Sequence, residues 1–275
     1  MTEQPHRPTN GPEARDGSLA PTVQWLSNTE LQSVYSSGNW NDLAEDQQKD
    51  WWIVGGGEPA YSRLRRYLDE SGLMAQYRIA ERAILKLKSA DLTIADLAAG
   101  VGWTSALMSR LPSVRTVQCV EISQHRLELI LPEAVRMFDG EPTKLKRYVG
   151  SFYELAFEAS SVDVVFISQA FHHAAAPLRL LTEVDRILKP GGRLILIGET
   201  YIGATSILRR ILRTLVVQGT FRRDFFELFP PDDLSGDHYY RRSDYRFFFR
   251  LLGFNISEFC VDRKRGLVIV ADKRS

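Results

Sequence analysis

The chain has 275 residues, 44% hydrophobic, 25% charged and 11% aromatic, enough for one large α/β domain with additions. Its 35 Lys and Arg against 34 Asp and Glu leave a net charge of +1, which gives no support to a whole-chain clamp on nucleic acid. Apolar runs such as Val162–Ile167 and Leu194–Ile197 are strand-sized and far short of the ~20 residues of a membrane-spanning helix.

Residues 1–21 are rich in Pro, Gly and charge. They are expected to form a disordered tail, because they offer little to bury, and they lack the apolar core of a secretory signal. Residues 22–90 read as a helical extension and lid. Leu64, Leu68 and Leu73 recur near helical spacing, and Ile79, Ile84 and Leu85 continue it. Gly55-Gly56-Gly57 marks a turn or hinge. Trp51 and Trp52 precede it, and two adjacent Trp cannot share one side of a regular element. One of them is then placed to cover a site while the other docks the lid, against the competing reading that both are core.

From residue 91 to 275 the rhythm becomes that of alternating strands and helices. Short apolar runs at Leu92–Leu97, Val117–Ile122, Leu145–Gly150, Val162–Ile167 and Arg193–Gly198 alternate with amphipathic stretches such as Leu178, Leu181, Val184, Ile187 and Leu188. Pro190-Gly191-Gly192 stops that last helix. Buried strands joined by crossover helices predict a parallel sheet with helices on both faces, and ligands of such sheets sit at the carboxyl ends of the strands. Residues 201–241 form an insertion dense in aromatics and Arg. A helix over Ser243–Leu252 follows, then two strands, Asn255–Val261 and Leu267–Ala271, whose five-residue polar connection is too short for a crossover. They are predicted to pair as an antiparallel hairpin. Cys119 and Cys260 lie in strand-like runs and read as buried reduced thiols of a cytoplasmic protein.

The most specific stretch is Ile94-Ala95-Asp96-Leu97-Ala98-Ala99-Gly100-Val101-Gly102-Trp103: a strand, small residues, then a helix start. Small side chains let a ligand approach the backbone, and free helix N–H groups attract negative charge. As a dinucleotide fingerprint it puts Ser105 where Gly or Ala belongs and a carboxylate, Asp96, near the pyrophosphate. A sulfonium ligand with an ammonium for Asp96 to bind fits better. Glu121 ends the second strand, where an acid accepts bonds from a ribose diol of either cofactor.

These residues resemble the class I S-adenosylmethionine-dependent methyltransferases, most closely the small-molecule type 11 branch. The likeness runs through Asp96–Gly102, Glu121, Val162–His173 and Leu188–Arg193, and by architecture through the hairpin. It implies a Rossmann-like seven-stranded sheet closed by that hairpin, with S-adenosyl-L-methionine over the first, second and fourth strands. By the same resemblance Asp96, Ala98, Gly100 and Gly102 belong to the cofactor turn, Glu121 meets the ribose and Ile122 packs on adenine. Ser168 and Gln169 would flank the transferring methyl. Ala98 replaces the family's usual first glycine. Ser151, beside Phe152 in the adenine region, replaces an Asp whose hydrogen bond a hydroxyl can still accept.

Methyl transfer creates little charge, so alignment and exclusion of water carry much of the rate. A base is needed when the acceptor is a poor nucleophile such as a sugar hydroxyl. His172 and His173 directly follow the fourth strand, with an ordinary pKa of ~6.5 suited to proton abstraction near neutrality. Glu199 and Tyr201 end the fifth strand on the same edge, and His238-Tyr239-Tyr240 could wall the acceptor. No metal-ligand set is read. The expected acceptor is a small molecule, first a glycan or natural-product hydroxyl and otherwise a quinone- or polyketide-like carbon. A non-catalytic cofactor-binding subunit and a nicotinamide-dependent reductase are the readings from other classes. Nucleic acid is disfavoured, since Ser168-Gln169-Ala170-Phe171 stands where base aminomethylation needs Asn/Asp-Pro-Pro-Tyr/Phe. Ile207, Leu208, Ile211, Leu212 and Leu215 line one helix face with Arg209, Arg210 and Arg213 largely opposite. Such a stripe more often roofs a pocket or meets a partner subunit, as in a homodimer, than lies on a membrane.

Overall fold

The computed structural model describes residues 17–27, 29–30, 57–231, 236–261 and 266–274. Trp51, Trp52, the first two glycines of the triple-glycine turn and the polar turn 262–265 lie outside the described residues. In chain order the elements are β1 (Val23–Gln24), α1 (Gly57–Ser71), α2 (Leu73–Leu85), β2 (Leu92–Leu97), α3 (Trp103–Ser109), β3 (Val114–Glu121) and, after a π-helical turn at Arg126–Ile130, α4 (Leu131–Met137). There follow β4 (Leu145–Val149), β5 (Val162–Ser168), a 3₁₀ turn at Phe171–His173, α5 (Pro177–Ile187) and β6 (Leu188–Glu199). The chain closes with α6 (Ala204–Gln218), α7 (Phe225–Leu228), α8 (Arg242–Leu251), β7 (Asn255–Val261) and β8 (Leu267–Asp272).

The strands form one sheet in the order β1-β4-β3-β2-β5-β6-β8-β7. All neighbours are parallel except the pairs β6–β8 and β7–β8. The hairpin predicted from its short connection is therefore present, and it docks β8 on β6. Every residue of β2 is buried, as a central parallel strand covered on both faces requires. The period-two alternation of β5 sorts its side chains: Val164 and Phe166 enter the layer with α1, α2 and α3, while Val165 and Ile167 enter the layer with α5 and α8. Each of these fully buried side chains stabilises the fold by about 1.5–3 kcal/mol.

Three details depart from the sequence reading. The sheet has eight strands rather than seven. The extra strand, β1, pairs only Val23 with Tyr148 and Gln24 with Val149, too short to leave a sequence pattern. It is held by Trp25, whose ring stacks on Tyr148 at 4.6 Å and meets Phe157 edge-on at 4.8 Å. The end of the supposed tail is also packed: Ala20 is 2% exposed, and the Arg147 guanidinium donates to its carbonyl at 2.7 and 3.2 Å. In addition, Pro190-Gly191-Gly192 sits inside β6 as an irregularity in the pairing with β5, not ahead of the strand. Cys119 is buried and free, and burial pushes its thiol up to about 12.

Candidate active site

Strand order reverses between β2 and β5: from β2 the chain steps outward through β3 and β4, then returns to place β5 on the other side of β2. A cavity of about 340 Å³ opens there at the carboxyl ends, within the range of small-ligand sites. The β2 turn contributes Ala98, Gly100 and Val101; β3 contributes Glu121 and Ile122; the segment after β4 contributes Ser151, Phe152 and Tyr153. The end of β5 supplies Ser168 and Gln169, its following turn His173, and α1 closes a wall with Leu64, Tyr67 and Leu68. Among the described residues only four non-glycines have left-handed φ, and two of them, Ala98 (+53°) and Gln169 (+52°), face this cavity. Such conformations store of order 1–3 kcal/mol each and gather at ligand sites. Gly102 (φ +82°) serves packing instead. A Cβ there would come within 2.6 Å of the Leu131 side chain, so glycine lets α4 close on the turn.

The acids lie behind the turn. Asp96 is fully buried, and its Oδ2 accepts from Thr104 Oγ1 at 2.7 Å and Ser105 Oγ at 2.6 Å. Ser105, out of place in a dinucleotide fingerprint, thus serves to hold Asp96. Burial pushes the Asp96 carboxyl up to about 6; the two hydroxyls oppose that rise and the nearby Glu121 charge adds to it. Its second oxygen, Oδ1, is buried with no hydrogen-bond partner among the described residues. Glu121 lines the cavity and fixes the turn: its carboxylate accepts from the amides of Gly100 (2.8 Å), Ile122 (2.9 Å) and Ser123 (3.1 Å). Ser168 presents a buried hydroxyl, also unpartnered among the described residues. Ser151 Oγ accepts from the Tyr153 amide at 3.2 Å.

The histidines diverge. His172 turns away from the cavity, with Nδ1 2.9 Å from Glu199 Oε2. Burial pulls the His172 pKa down, but the hydrogen bond and charge of Glu199 outweigh it, so the ring titrates above its ordinary value. His173 faces the cavity, and its Nδ1 lies 3.1 Å from Asp237 Oδ1. Burial and the neighbouring His172 charge lower its pKa. Ligand atoms of His172, His173 and Asp237 lie within 4.8 Å of one another, so the three could also hold a divalent ion, a set invisible in a sequence where Asp237 is 64 positions away.

Of the residues read as acceptor-binding, Glu199 is instead an interior tie. It is fully buried, and its carboxylate accepts from the amides of Ala170, Phe171 and His172 and from the Tyr245 hydroxyl. Tyr240 is buried with its hydroxyl on the Ala174 carbonyl (2.9 Å). Tyr239 packs near Phe229 and Tyr201 lies under the Arg242 guanidinium. His238 donates its amide to the His172 carbonyl. None of these five lines the cavity, and Trp51 and Trp52 lie outside the described residues. The sequence reading passed over Leu64, Tyr67 and Leu68, because their helical spacing reads equally well as core. It also passed over Trp103 and Arg126, which line the cavity too.

Residues 95–196 match the family model described as a methyltransferase domain. The sarcosine/dimethylglycine N-methyltransferase of Aphanothece halophytica is 29% identical over 168 residues, covering 59% of this chain and 56% of that protein. The demethylmenaquinone methyltransferase of Lactococcus lactis is 31% identical over 111 residues, 40% of this chain and 43% of its own. The chain thus spans about half the length of these curated relatives. Among solved structures, the magnesium protoporphyrin IX methyltransferase of Synechocystis with bound SAH superposes with a TM-score of 0.58 at 14% identity, over 88% of this chain and 99% of that one, a likeness of fold.

Proposed function

We propose that this chain, whose residues 95–196 match a methyltransferase domain, transfers the methyl of S-adenosylmethionine to a small-molecule hydroxyl, with His173 as the base. The cavity fits the cofactor in three respects: a strained small-residue turn that admits a ligand to the backbone, an unpartnered buried hydroxyl on Ser168, and apolar walls at Ile122 and Phe152, while the unpartnered Oδ1 of Asp96 is buried behind the turn. Asp96 would offset the ammonium, Glu121 would accept from the ribose hydroxyls, and Ser151 and Phe152 would bound the adenine. When bound, S-adenosylmethionine supplies an electrophilic methyl on a sulfonium centre.

The single observation that carries the base assignment is that His173 combines cavity exposure with a lowered pKa and a carboxylate at Nδ1. A proton on Nδ1, facing Asp237, leaves the Nε2 lone pair to take the acceptor's proton. His172, locked to Glu199, positions the turn. The test is His173→Ala: turnover on a hydroxyl acceptor falls about 100- to 10,000-fold, while S-adenosylhomocysteine affinity by calorimetry stays near wild type. Unchanged turnover on a confirmed hydroxyl acceptor rejects the assignment. Cofactor binding with no methyl transfer to any small-molecule pool favours a binding subunit instead. A second reading, methylation of a quinone-like carbon, draws on the apolar walls at Leu64 and Leu68 and on the demethylmenaquinone relative. It predicts little loss in His173→Ala, since an acidic carbon needs no strong base.

A further inference from the structure

Helix α6 and the turn after it carry a surface that the transfer chemistry leaves unused. Ile207, Ile211 and Thr214 form the inner side of α6, and Thr214 alone is buried. Three- and four-residue steps put Leu208, Leu212 and Leu215 on one outward row, 57, 49 and 45% exposed, with Val216 beside them at 79%. Beyond the helix Phe221 is 57% exposed, under the Arg223 guanidinium at 4.8 Å. A solitary exposed Leu is ordinary, whereas a contiguous apolar row marks a contact surface. None of these residues lines the cavity, so the row does not roof the pocket.

Charge identifies the partner. Residues 201–223 hold five Arg and no Asp, Glu or Lys, and since the whole chain carries +1, everything else sums to −4. Arg209 and Arg213 are exposed and lie along the flank of the leucine row. A second copy seated on the same row by a two-fold axis would bring like-charged arginine rows together. An anionic lipid headgroup layer over an acyl boundary satisfies both the row and its flank.

We infer that α6 and Phe221 dock this protein on an anionic bilayer surface, with the leucine row at the acyl boundary and the arginines at the phosphates. The helix leaves the sheet just after Glu199, whose carboxylate holds the amide of cavity-lining Ala170, so docking would set the cavity end of the sheet near the lipid. Docking stands apart from the choice of acceptor, because it is read without turnover.

The experiment is co-sedimentation of the full chain with vesicles of phosphatidylcholine alone or mixed with phosphatidylglycerol. Partition is expected on the mixed vesicles, weakened by high salt and reduced about fivefold by each of Arg209→Gln and Arg213→Gln. Leu212→Asp should reduce it by about tenfold or more while leaving the thermal melt unchanged, because Leu212 is already exposed. Partition to neither vesicle, equal partition to both, or full retention in Leu212→Asp overturns the inference. So does a solution dimer that Leu212→Asp dissociates, which would assign the row to a second copy.

Discussion

Replacing Asp96 by Asn is expected to stabilise the ligand-free protein at neutral pH and to weaken its hold on the cofactor. An ordinary carboxyl titrates near 3.8 and Asp96 near 6, chiefly because it is buried, a difference that corresponds to about 3 kcal/mol. The folded-state pKa is the higher one, so the ionised group burdens the fold by that full amount above pH 6 and by nothing below about pH 4. Asn removes the burden and keeps an oxygen for Thr104 and Ser105. Its new NH₂ then takes the place of the unpartnered Oδ1, at a cost of about 1–2 kcal/mol. The net gain is about 1–2 kcal/mol at pH 7.5, or about 2–6 °C in Tm; it shrinks to about zero near pH 5 and becomes a loss of about 1–2 kcal/mol near pH 4, where only the cost of the NH₂ remains. The bound cofactor's positive charge should offset the same burden in the wild type. Asp96→Asn should therefore lose about 10- to 150-fold in S-adenosylmethionine affinity, the range for a charged hydrogen bond. Thermal melts at pH 7.5 and 5 with and without ligand, together with calorimetry, measure both effects. A lower ligand-free Tm at pH 7.5, or undiminished affinity, refutes the reasoning.

Turnover on a hydroxyl acceptor should fall as pH drops through a value below ~6.5, because the lowered pKa keeps His173 neutral until more acidic solution protonates it; a pH–rate profile flat through that range opposes the base role. Gly102→Ala should destabilise the fold by about 2 kcal/mol or more, through left-handed backbone and collision with Leu131, as denaturant unfolding would read. Treatment with EDTA should leave turnover unchanged if His173 works as a base. Loss on EDTA with recovery on a divalent ion would instead give His172, His173 and Asp237 to a metal.

Most of the sheet was legible because it is written in short-range pattern. The apolar runs of β2 and β5 and the five-residue connection between β7 and β8 each forced one outcome. β1 was not legible, since two residues carry no period and their anchor is the stacking of Trp25 on Tyr148, over a hundred positions away. The cavity lining was legible at the glycine turn and the strand ends, where backbone geometry and sequence position coincide: Ala98, Gly100, Glu121, Ile122, Ser151, Phe152, Ser168 and Gln169 all line the cavity, whereas Asp96 and Gly102 do not. The residues expected to face an acceptor depend on long-range placement. Glu199 looks like a solvated strand end until the amides of Ala170 and Phe171 fold over it, and Asp237 meets His173 only through the path of the insertion.

The Glu199 carboxylate joins the turn after β5, the end of β6 and, through Tyr245, helix α8. These segments should open and close together as one unit of local unfolding. Backbone amides of Ala170 and Phe171, though in a loop, would then exchange with deuterium as slowly as the interior of α8 and speed up in step with it when the Tyr245 hydroxyl is removed. The histidine turn would owe its rigidity to a helix near the far end of the chain.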